Sequence, residues 1–127
     1  MDDVYEGWTG LEAAQVTVQR QVIDPLRRGE PGGFRRYDWD RSEYAEWVDV
    51  PVTDVLVIEG CGSGALAYAD AITVLVWVEA SQEERTERGL RRDGEHLRDR
   101  WLEWQKTEAA LFARERTKER SDLLLVS

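Results

Sequence analysis

The chain has 127 residues, which is enough for one domain with a modest core and too few for two. Hydrophobic residues make up 42% and charged residues of both signs 34%, which excludes the composition of a disordered tail. A formal net charge of −9 argues against a surface that binds nucleic acid or anionic lipid by charge alone. The single cysteine, Cys61, excludes an intrachain disulfide, and no apolar run approaches the roughly 20 residues that cross a bilayer. Without a signal segment, the sequence predicts a cytoplasmic protein with no nucleic-acid or membrane partner.

The first predicted element is a helix that runs from Leu11 to about Arg28. Thr9 and Glu12 have the spacing of a capping box, and the apolar side chains that follow recur on one helical face. We expect Pro25 to bend or end this helix, and Gly29, which follows Arg28, to stop it.

A small β-hairpin is predicted over residues 33–51, where two short extended segments enclose a polar loop. Tyr37 and Trp39 flank Asp38 in the first segment. These side chains could stack on a flat ring and hydrogen-bond a sugar, or they could fill the hairpin with aromatic surface. The pattern leaves both interpretations open.

Three unbroken apolar runs predict strands that are buried on both faces. Two helices are predicted between the second and third runs, one from a capping box at Ser81 to about Arg92 and one over residues 95–116. Buried strands that alternate with helices predict an α/β layered fold with a three-stranded parallel sheet. The three runs are residues 55–58, 72–78 and 122–126.

Glu59 directly follows the first run, at the edge where parallel sheets bind ligands. A carboxylate on a strand end beside a glycine suits Mg²⁺ next to a phosphate, although it could instead cap the following turn. The segment 60–64, which we call the glycine loop, resembles a phosphate-binding loop in its glycines but lacks the lysine. A flexible connection is the alternative.

A row of arginines recurs at helical spacing in the first of the two later helices, so that at least three guanidinium groups would lie along one side. Such a row can clamp phosphoryl groups, whereas pairing with neighbouring glutamates would make it an ordinary solvated face. The row consists of Arg85, Arg88, Arg91 and Arg92.

Asp2 and Asp3 by themselves could supply a general base for a hydroxyl or could form an exposed acidic terminus. Together with Tyr5 they resemble the Asp-x-x-Tyr motif of the uridine-kinase-like P-loop nucleoside kinases. The resemblance implies that Asp2 is the base on the nucleoside 5′-hydroxyl and that Tyr5 lies near the acceptor pocket.

Three later motifs follow in the order of the same family. The family's hairpin flap carries a Tyr-Asp pair, which implies that Tyr37 and Asp38 face the nucleoside. Its apolar strand that ends in Glu-Gly implies that Glu59 is the Mg²⁺ ligand. Its arginine-rich lid, R-x-x-R-x-x-R-D, is similar to Arg85, Arg88 and Arg91, with a one-residue slip because Arg92 doubles the last arginine. The resemblance implies that Arg88, Arg91 and Arg92 face the phosphates.

The chain departs from the family at its front. The family begins with a strand, a G-x-x-x-x-G-K-[ST] loop, a helix and a second strand, and none of these precedes Met1. The resemblance implies that the missing first strand lies between the runs 55–58 and 72–78, so its loss would expose unpaired backbone groups. Without the loop and its lysine, contacts to the β- and γ-phosphates are lost. We therefore expect Mg²⁺ and ATP to serve a full-length parent, and this chain to be inactive alone.

The sequence thus predicts a single truncated P-loop NTPase domain of the nucleoside- or nucleotide-kinase type over residues 1–127. Its flap would cover about 33–51 and its helical lid about 81–114. The expected partner is a small nucleoside or nucleotide. The alternative is a non-enzymatic interaction module that assembles through an exposed sheet edge, for example as a homodimer. A reading frame that starts upstream of Met1 would also explain the missing loop.

Overall fold

The computed structural model describes all 127 residues of the chain. It is a mixed α/β fold, as expected, and it divides into two compact units, Met1–Ile72 and Thr73–Ser127. We call them the N-terminal and the C-terminal unit. None of the helices combines the length and the apolar character needed to cross a membrane.

The N-terminal unit contains one continuous helical segment whose middle turn is π-helical. This turn directly precedes Pro25, which has no N–H to donate to the preceding turn. The amide of Asp24 donates to the carbonyl of Gln19, five residues back, so the backbone widens ahead of the proline and the helix continues. The segment consists of α1 (Leu11–Val18), the π turn (Gln19–Ile23) and α2 (Asp24–Arg27).

Glycines mark both ends of this helical segment. Gly10 is the N-cap and no side chain caps the first turn, so the capping box predicted for Thr9 and Glu12 is wrong. Thr9 closes a short 3₁₀ turn instead, which removes it from the capping position. At the other end, Gly29 has φ 74° and stops the helix, as predicted.

The predicted hairpin is confirmed. β1 (Gly32–Asp38) pairs antiparallel with β2 (Glu43–Val50), and the register shifts between Arg35 and Tyr37 in a bulge. β1 begins against the helix, since a Cβ on Gly32 would lie only 2.4 Å from the Gln21 carbonyl oxygen. The hairpin is therefore anchored at its open end.

The helical segment turns its apolar face inward, where it meets the hairpin, the first residues of the chain and a 3₁₀ segment, Leu66–Ala71. Each large apolar side chain buried in this way contributes about 1.5–3 kcal/mol. The buried apolar residues of the N-terminal unit are Val4, Tyr5, Leu11, Ala14, Val18, Val22, Tyr37, Ala65 and Tyr68.

Residues 55–58 do not form the predicted strand. The run has no regular secondary structure and no strand partner, and Val55 and Val57 are 75% and 80% exposed. A strand requires a neighbour for its N–H and C=O groups, and the only sheet of this unit is the hairpin. Apolar composition alone is therefore insufficient to make this run a strand.

The helices predicted for the C-terminal unit are confirmed. The first begins with the predicted capping box: Ser81 Oγ accepts the Glu84 amide at 3.2 Å, and the Glu84 carboxylate accepts the Ser81 amide at 3.2 Å. Gly94, with φ 106°, interrupts the helices where the sequence predicted a break. The helices are α3 (Gln82–Asp93), α4 (Arg98–Glu115) and the short α5 (Thr117–Arg120).

The sheet of the C-terminal unit has two parallel strands, β3 (Val76–Glu79) and β4 (Leu123–Val126). Because each sheet of the protein has only two strands, the predicted three-stranded parallel sheet is wrong. On one face Trp77 packs edge-to-face on Phe112 of α4, with ring centroids 4.8 Å apart. On the other face Val78 is 62% exposed, so this sheet is covered on one side only.

Candidate functional site

The first residues of the chain are hydrogen-bonded to the hairpin. The Tyr37 amide donates to the Asp3 carbonyl at 2.7 Å, and Trp39 Nε1 donates to the Asp2 carbonyl at 3.0 Å. These bonds use backbone oxygens of the acidic segment, so the Asp2 side chain stays exposed. The segment that carries the predicted base therefore lies directly against the predicted flap.

The same segment also contacts the glycine loop. The Met1 ammonium donates to the Glu59 carbonyl at 2.7 Å, and the buried Tyr5 hydroxyl donates to the Cys61 carbonyl. Three predicted site elements thus meet within the N-terminal unit: the acid motif, the flap and the segment that ends in Glu59.

An aromatic cluster lies where these elements meet. Tyr37 is at its centre and packs edge-to-face against Trp39 and Tyr44, with ring centroids 5.6 Å apart in both pairs. Trp8 packs on Trp39 at the same distance. Tyr37 is buried, whereas Trp39 and Tyr44 are 38% and 48% exposed. The cluster therefore presents accessible aromatic surface beside exposed carboxylates.

Tyr44 donates its hydroxyl to a carboxylate beside this cluster. Burial raises the pKa of Tyr44, and the Glu6 carboxylate raises it further by its charge and by accepting the hydroxyl at 3.3 Å. The hydroxyl therefore remains a proton donor across the physiological pH range.

Asp38 is held by the hairpin turn. Its Oδ1 accepts the amides of Asp40 and Arg41 at 3.1 and 3.0 Å, and its Oδ2 lies 3.8 Å from Arg36. Arg36 also donates to Glu46 and lowers the pKa of that carboxyl. Asp38 thus stabilises the turn through Oδ1, while its Oδ2 faces the Arg36 guanidinium.

Glu59 is exposed, at the end of a segment without regular secondary structure instead of a strand. The protein has no group of three or more His, Cys, Asp or Glu side chains arranged to hold a metal ion. Mg²⁺ sites in kinases use one or two carboxylates together with substrate phosphates, so Glu59 offers one such ligand.

The glycine loop does not form a triphosphate cradle. Gly62 is buried, and its carbonyl accepts Gln15 Nε2 at 3.1 Å and the Tyr68 hydroxyl at 3.3 Å. The Ser63 amide donates to the Gly60 carbonyl at 3.1 Å, which closes a turn. A phosphate cradle needs several free, converging N–H groups and a lysine, and this loop is instead packed against the core by its carbonyls. The residues present therefore do not fit the phosphates of ATP.

The arginine row lies in the C-terminal unit, on α3. Arg88 donates to Ser127 Oγ at 2.9 Å and lies 3.8 Å from Glu84, and Arg92 pairs with Asp93 at 2.7 Å. Arg92 also stacks over Trp101, 5.7 Å from the ring centroid.

Two other members of the row differ sharply in their surroundings. Arg85 pairs with Glu108 of α4, whose side chain is only 9% exposed, and so it ties two helices together. Arg91 is exposed and has no ion pair. Of the four arginines, Arg91 is the one whose guanidinium is not already held by a carboxylate of its own unit.

The predicted site residues therefore fall into two groups. Within the N-terminal unit the structure brings the predicted base and flap residues together with the loop after Glu59, whereas the predicted phosphate ligands belong to the C-terminal unit. The first group is Asp2, Tyr5, Tyr37, Asp38 and Glu59, and the second is Arg88, Arg91 and Arg92.

Sequence reasoning missed three residues of the aromatic cluster site: Trp8, Tyr44 and Glu6. Tyr44 could have been found from the hairpin, because its register places it opposite Tyr37. Trp8 and Glu6 carry no comparable signal, since a 3₁₀ turn folds them toward the hairpin.

Comparisons of the chain with models of known protein families, with curated proteins and with solved structures found no match.

Proposed function

We propose that this chain is the acceptor-binding part of a uridine-kinase-like nucleoside kinase and that it does not transfer phosphate by itself. In a full-length parent protein the activity would be ATP-dependent. The acceptor is a small nucleoside or nucleotide.

One observation carries this proposal: the first residues of the chain, which hold the acid motif, are hydrogen-bonded both to the flap and to residues 59–61 within one unit. The resemblance assigns the acid motif and the flap to the acceptor side of the reaction, and Glu59 to the Mg²⁺ that lies between the acceptor and the phosphates. The acid motif lies more than 30 residues from both Tyr37 and Glu59 along the chain, so local sequence does not bring it to them. Their convergence supports the resemblance independently of the motifs themselves.

The roles follow from exposure and chemistry. Asp2 is an exposed carboxylate next to accessible rings, and it would accept the proton of the nucleoside hydroxyl. Trp39 and Tyr44 offer aromatic surface for a nucleobase. Tyr5 and Tyr37 are buried and would support the exposed rings from the interior of the unit.

The phosphate side of the reaction is different. The glycine loop does not fit a triphosphate, and a G-x-x-x-x-G-K-[ST] sequence occurs nowhere in the 127 residues. Phosphoryl transfer depends on positioning and charge neutralisation around the phosphates, so we assign no chemical step to this chain alone.

Nucleoside binding is tested by titrating the labelled chain with uridine, cytidine and adenosine while following the indole N–H signals by NMR. We expect saturable shifts at Trp8 and Trp39. Asp2→Asn should weaken binding about 10-fold, or about 1.4 kcal/mol, because it removes a charged acceptor. Asp54→Asn, also at an exposed aspartate of the same unit, is the matched control and should have no effect.

Transfer is tested separately with labelled ATP, Mg²⁺ and the same nucleosides. We expect no turnover by the 127-residue chain. Turnover would contradict the proposal that the chain is inactive alone. If nucleosides cause no saturable shifts of the indole N–H signals, the proposed acceptor site is contradicted.

The open sheet of the C-terminal unit favours a second candidate function, an interaction module. β3 and β4 have one neighbour each, and their uncovered face carries the exposed side chains of Val76, Val78 and Leu125. Neither strand has a proline or lysine that would block edge pairing. A further strand could pair with either edge, and a second copy of the chain would be the simplest partner.

Light scattering after size exclusion tests this alternative. A dimer that Val78→Lys converts to a monomer, combined with no nucleoside response, would favour the interaction module. A monomer at all concentrations would contradict self-assembly.

A further inference from the structure

A cavity of the N-terminal unit lies at the open end of the hairpin, away from the aromatic cluster. Its volume is about 330 Å³, and its lining includes Trp47, Asp49, Gln21 and two prolines, Pro25 and Pro31. This size suits a side chain or a small planar ligand. Neither the acceptor site nor the sheet alternative uses these residues.

Trp47 is held flat on the hairpin. A Cβ atom placed on Gly33 would lie 2.5 Å from three neighbouring atoms of the Trp47 ring, Cε2, Cζ2 and Nε1. The glycine backbone therefore approaches the face of the indole and not its edge. Only a residue without a side chain fits beneath the ring. Trp47 nevertheless remains 50% exposed, which leaves its other face open to a ligand.

The orientation of the ring is fixed by its polar atom. Trp47 Nε1 donates to Asp49 Oδ1 at 3.0 Å, so the carboxylate lies at the rim of the indole. A carboxylate accepts more than one hydrogen bond, and Asp49 is exposed. The pocket thus combines an open aromatic face with a negative acceptor beside it.

The charge around the pocket selects a cation. None of the residues that line it is basic. The N-terminal unit contains 14 acidic and 6 basic residues, a net charge of −8, whereas the C-terminal unit has 12 and 11. Arg35 is opposite Trp47 in the register, but its Nη1 donates to the Ala45 carbonyl at 3.0 Å and it does not line the cavity. An anion is therefore repelled, and no basic side chain of the chain itself lines the pocket.

We propose that this pocket binds the guanidinium group of an arginine side chain presented by a peptide. Tryptophan is the best aromatic partner for a cation, and a guanidinium is planar, so it can stack on the indole and donate to a carboxylate at the rim. The proline rings of Pro25 and Pro31 pack against the aliphatic stem of the arginine. A compact ammonium group lacks the flat shape that matches the open ring face.

The test uses N-acetyl-L-argininamide as the probe, titrated into the complete chain while the indole N–H signal of Trp47 is followed by NMR. N-acetyl-L-citrullinamide, which has nearly the same shape without the charge, is the matched neutral probe. We expect saturation with the arginine probe and at least 5-fold weaker binding of the citrulline probe. Equal affinity for both probes, or no saturation with either, would overturn the proposal.

Two variants locate the site. Trp47→Leu should abolish binding of the arginine probe, which in this variant is followed through the backbone amides of β1 and β2. Asp49→Asn should weaken binding of the probe about 5- to 10-fold. The matched control is Asp40→Asn, at an exposed aspartate of the hairpin turn that does not line this pocket. Asp49 is on the surface, so the test stands even if Trp47→Leu fails to fold. Asp49→Asn with unchanged affinity, in a chain with native circular dichroism, would refute the assignment.

Discussion

The pairing of Arg85 with Glu108 predicts a large and specific loss of stability when Arg85 is replaced. Glu108 is only 7% exposed, and Arg85 reaches it from the facing helix α3. Arg85→Met keeps much of the aliphatic stem but removes the cation, so the carboxylate stays buried without this partner. Arg91→Met on the same helix is the matched control, because Arg91 is exposed and has no ion pair.

The magnitude follows from the burial of the two groups. Removing one partner of a fully buried pair costs about 3–5 kcal/mol. The Arg85 side chain is 41% exposed, so water reaches this pair and the expected cost falls to about 2 kcal/mol. Arg91→Met should change stability by less than about 0.5 kcal/mol.

Hydrogen exchange at the amide of Leu90, a buried residue of α3, measures this difference directly. We expect about 30-fold faster exchange in Arg85→Met and no change in Arg91→Met, since 1.4 kcal/mol corresponds to a factor of ten. The double replacement of Arg85 and Glu108 by methionine should recover part of the loss, because no buried charge then remains. Equal exchange rates in Arg85→Met and Arg91→Met would refute the reasoning and show that Arg85 belongs to an ordinary solvated helix face.

Three further predictions concern single residues. Ser81→Ala should lower the stability of α3 by about 1 kcal/mol, seen as lost helical circular dichroism on mild heating. Hydrogen bonds from the Ser81 amide and, second, from its hydroxyl lower the pKa of Glu84, so their contribution is complete above the ordinary value of 4.5 and is lost as the pH falls through the lowered value. A pH titration should show this loss in the native chain and a smaller loss in Ser81→Ala, which keeps the amide donor and removes only the hydroxyl. Leu111→Ala should cost about 2–5 kcal/mol in urea unfolding, because Leu111 is 1% exposed, whereas Leu102→Ala at a 37% exposed position of the same helix should cost far less. Tyr5→Phe should cost about 1 kcal/mol and speed amide exchange in the glycine loop, and unchanged exchange there would contradict the hydrogen bond to its carbonyl.

The sequence predictions for Asp2, Tyr37 and Glu59 rest on short local motifs. The structure joins the segments that carry them by hydrogen bonds within one unit. What could not be predicted is which atoms make these contacts. The carbonyls of the acidic segment bind the hairpin, and the carboxylates remain outside, a choice that depends on the path of the backbone.

The arginine row shows the limit of spacing as evidence. Four arginines at helical spacing look equivalent in the sequence, yet Arg85 binds a buried glutamate of another helix and Arg91 binds none. Glu108 lies 23 residues further along the chain, and nothing in the pattern around it shows that it turns inward. The difference between a structural and a free arginine therefore arises only when α3 and α4 pack together.

By itself, the sequence determined the helices, the hairpin and the glycine stops, because capping, turn chemistry and apolar periodicity act between residues a few positions apart. Tertiary structure decided which of the three predicted apolar runs pair into the parallel sheet. Residues 55–58 and 123–126 have similar apolar composition, yet only the second run has a partner strand, β3, and is paired. A strand is completed by hydrogen bonds to a distant segment, so its existence depends on whether that segment is present and adjacent.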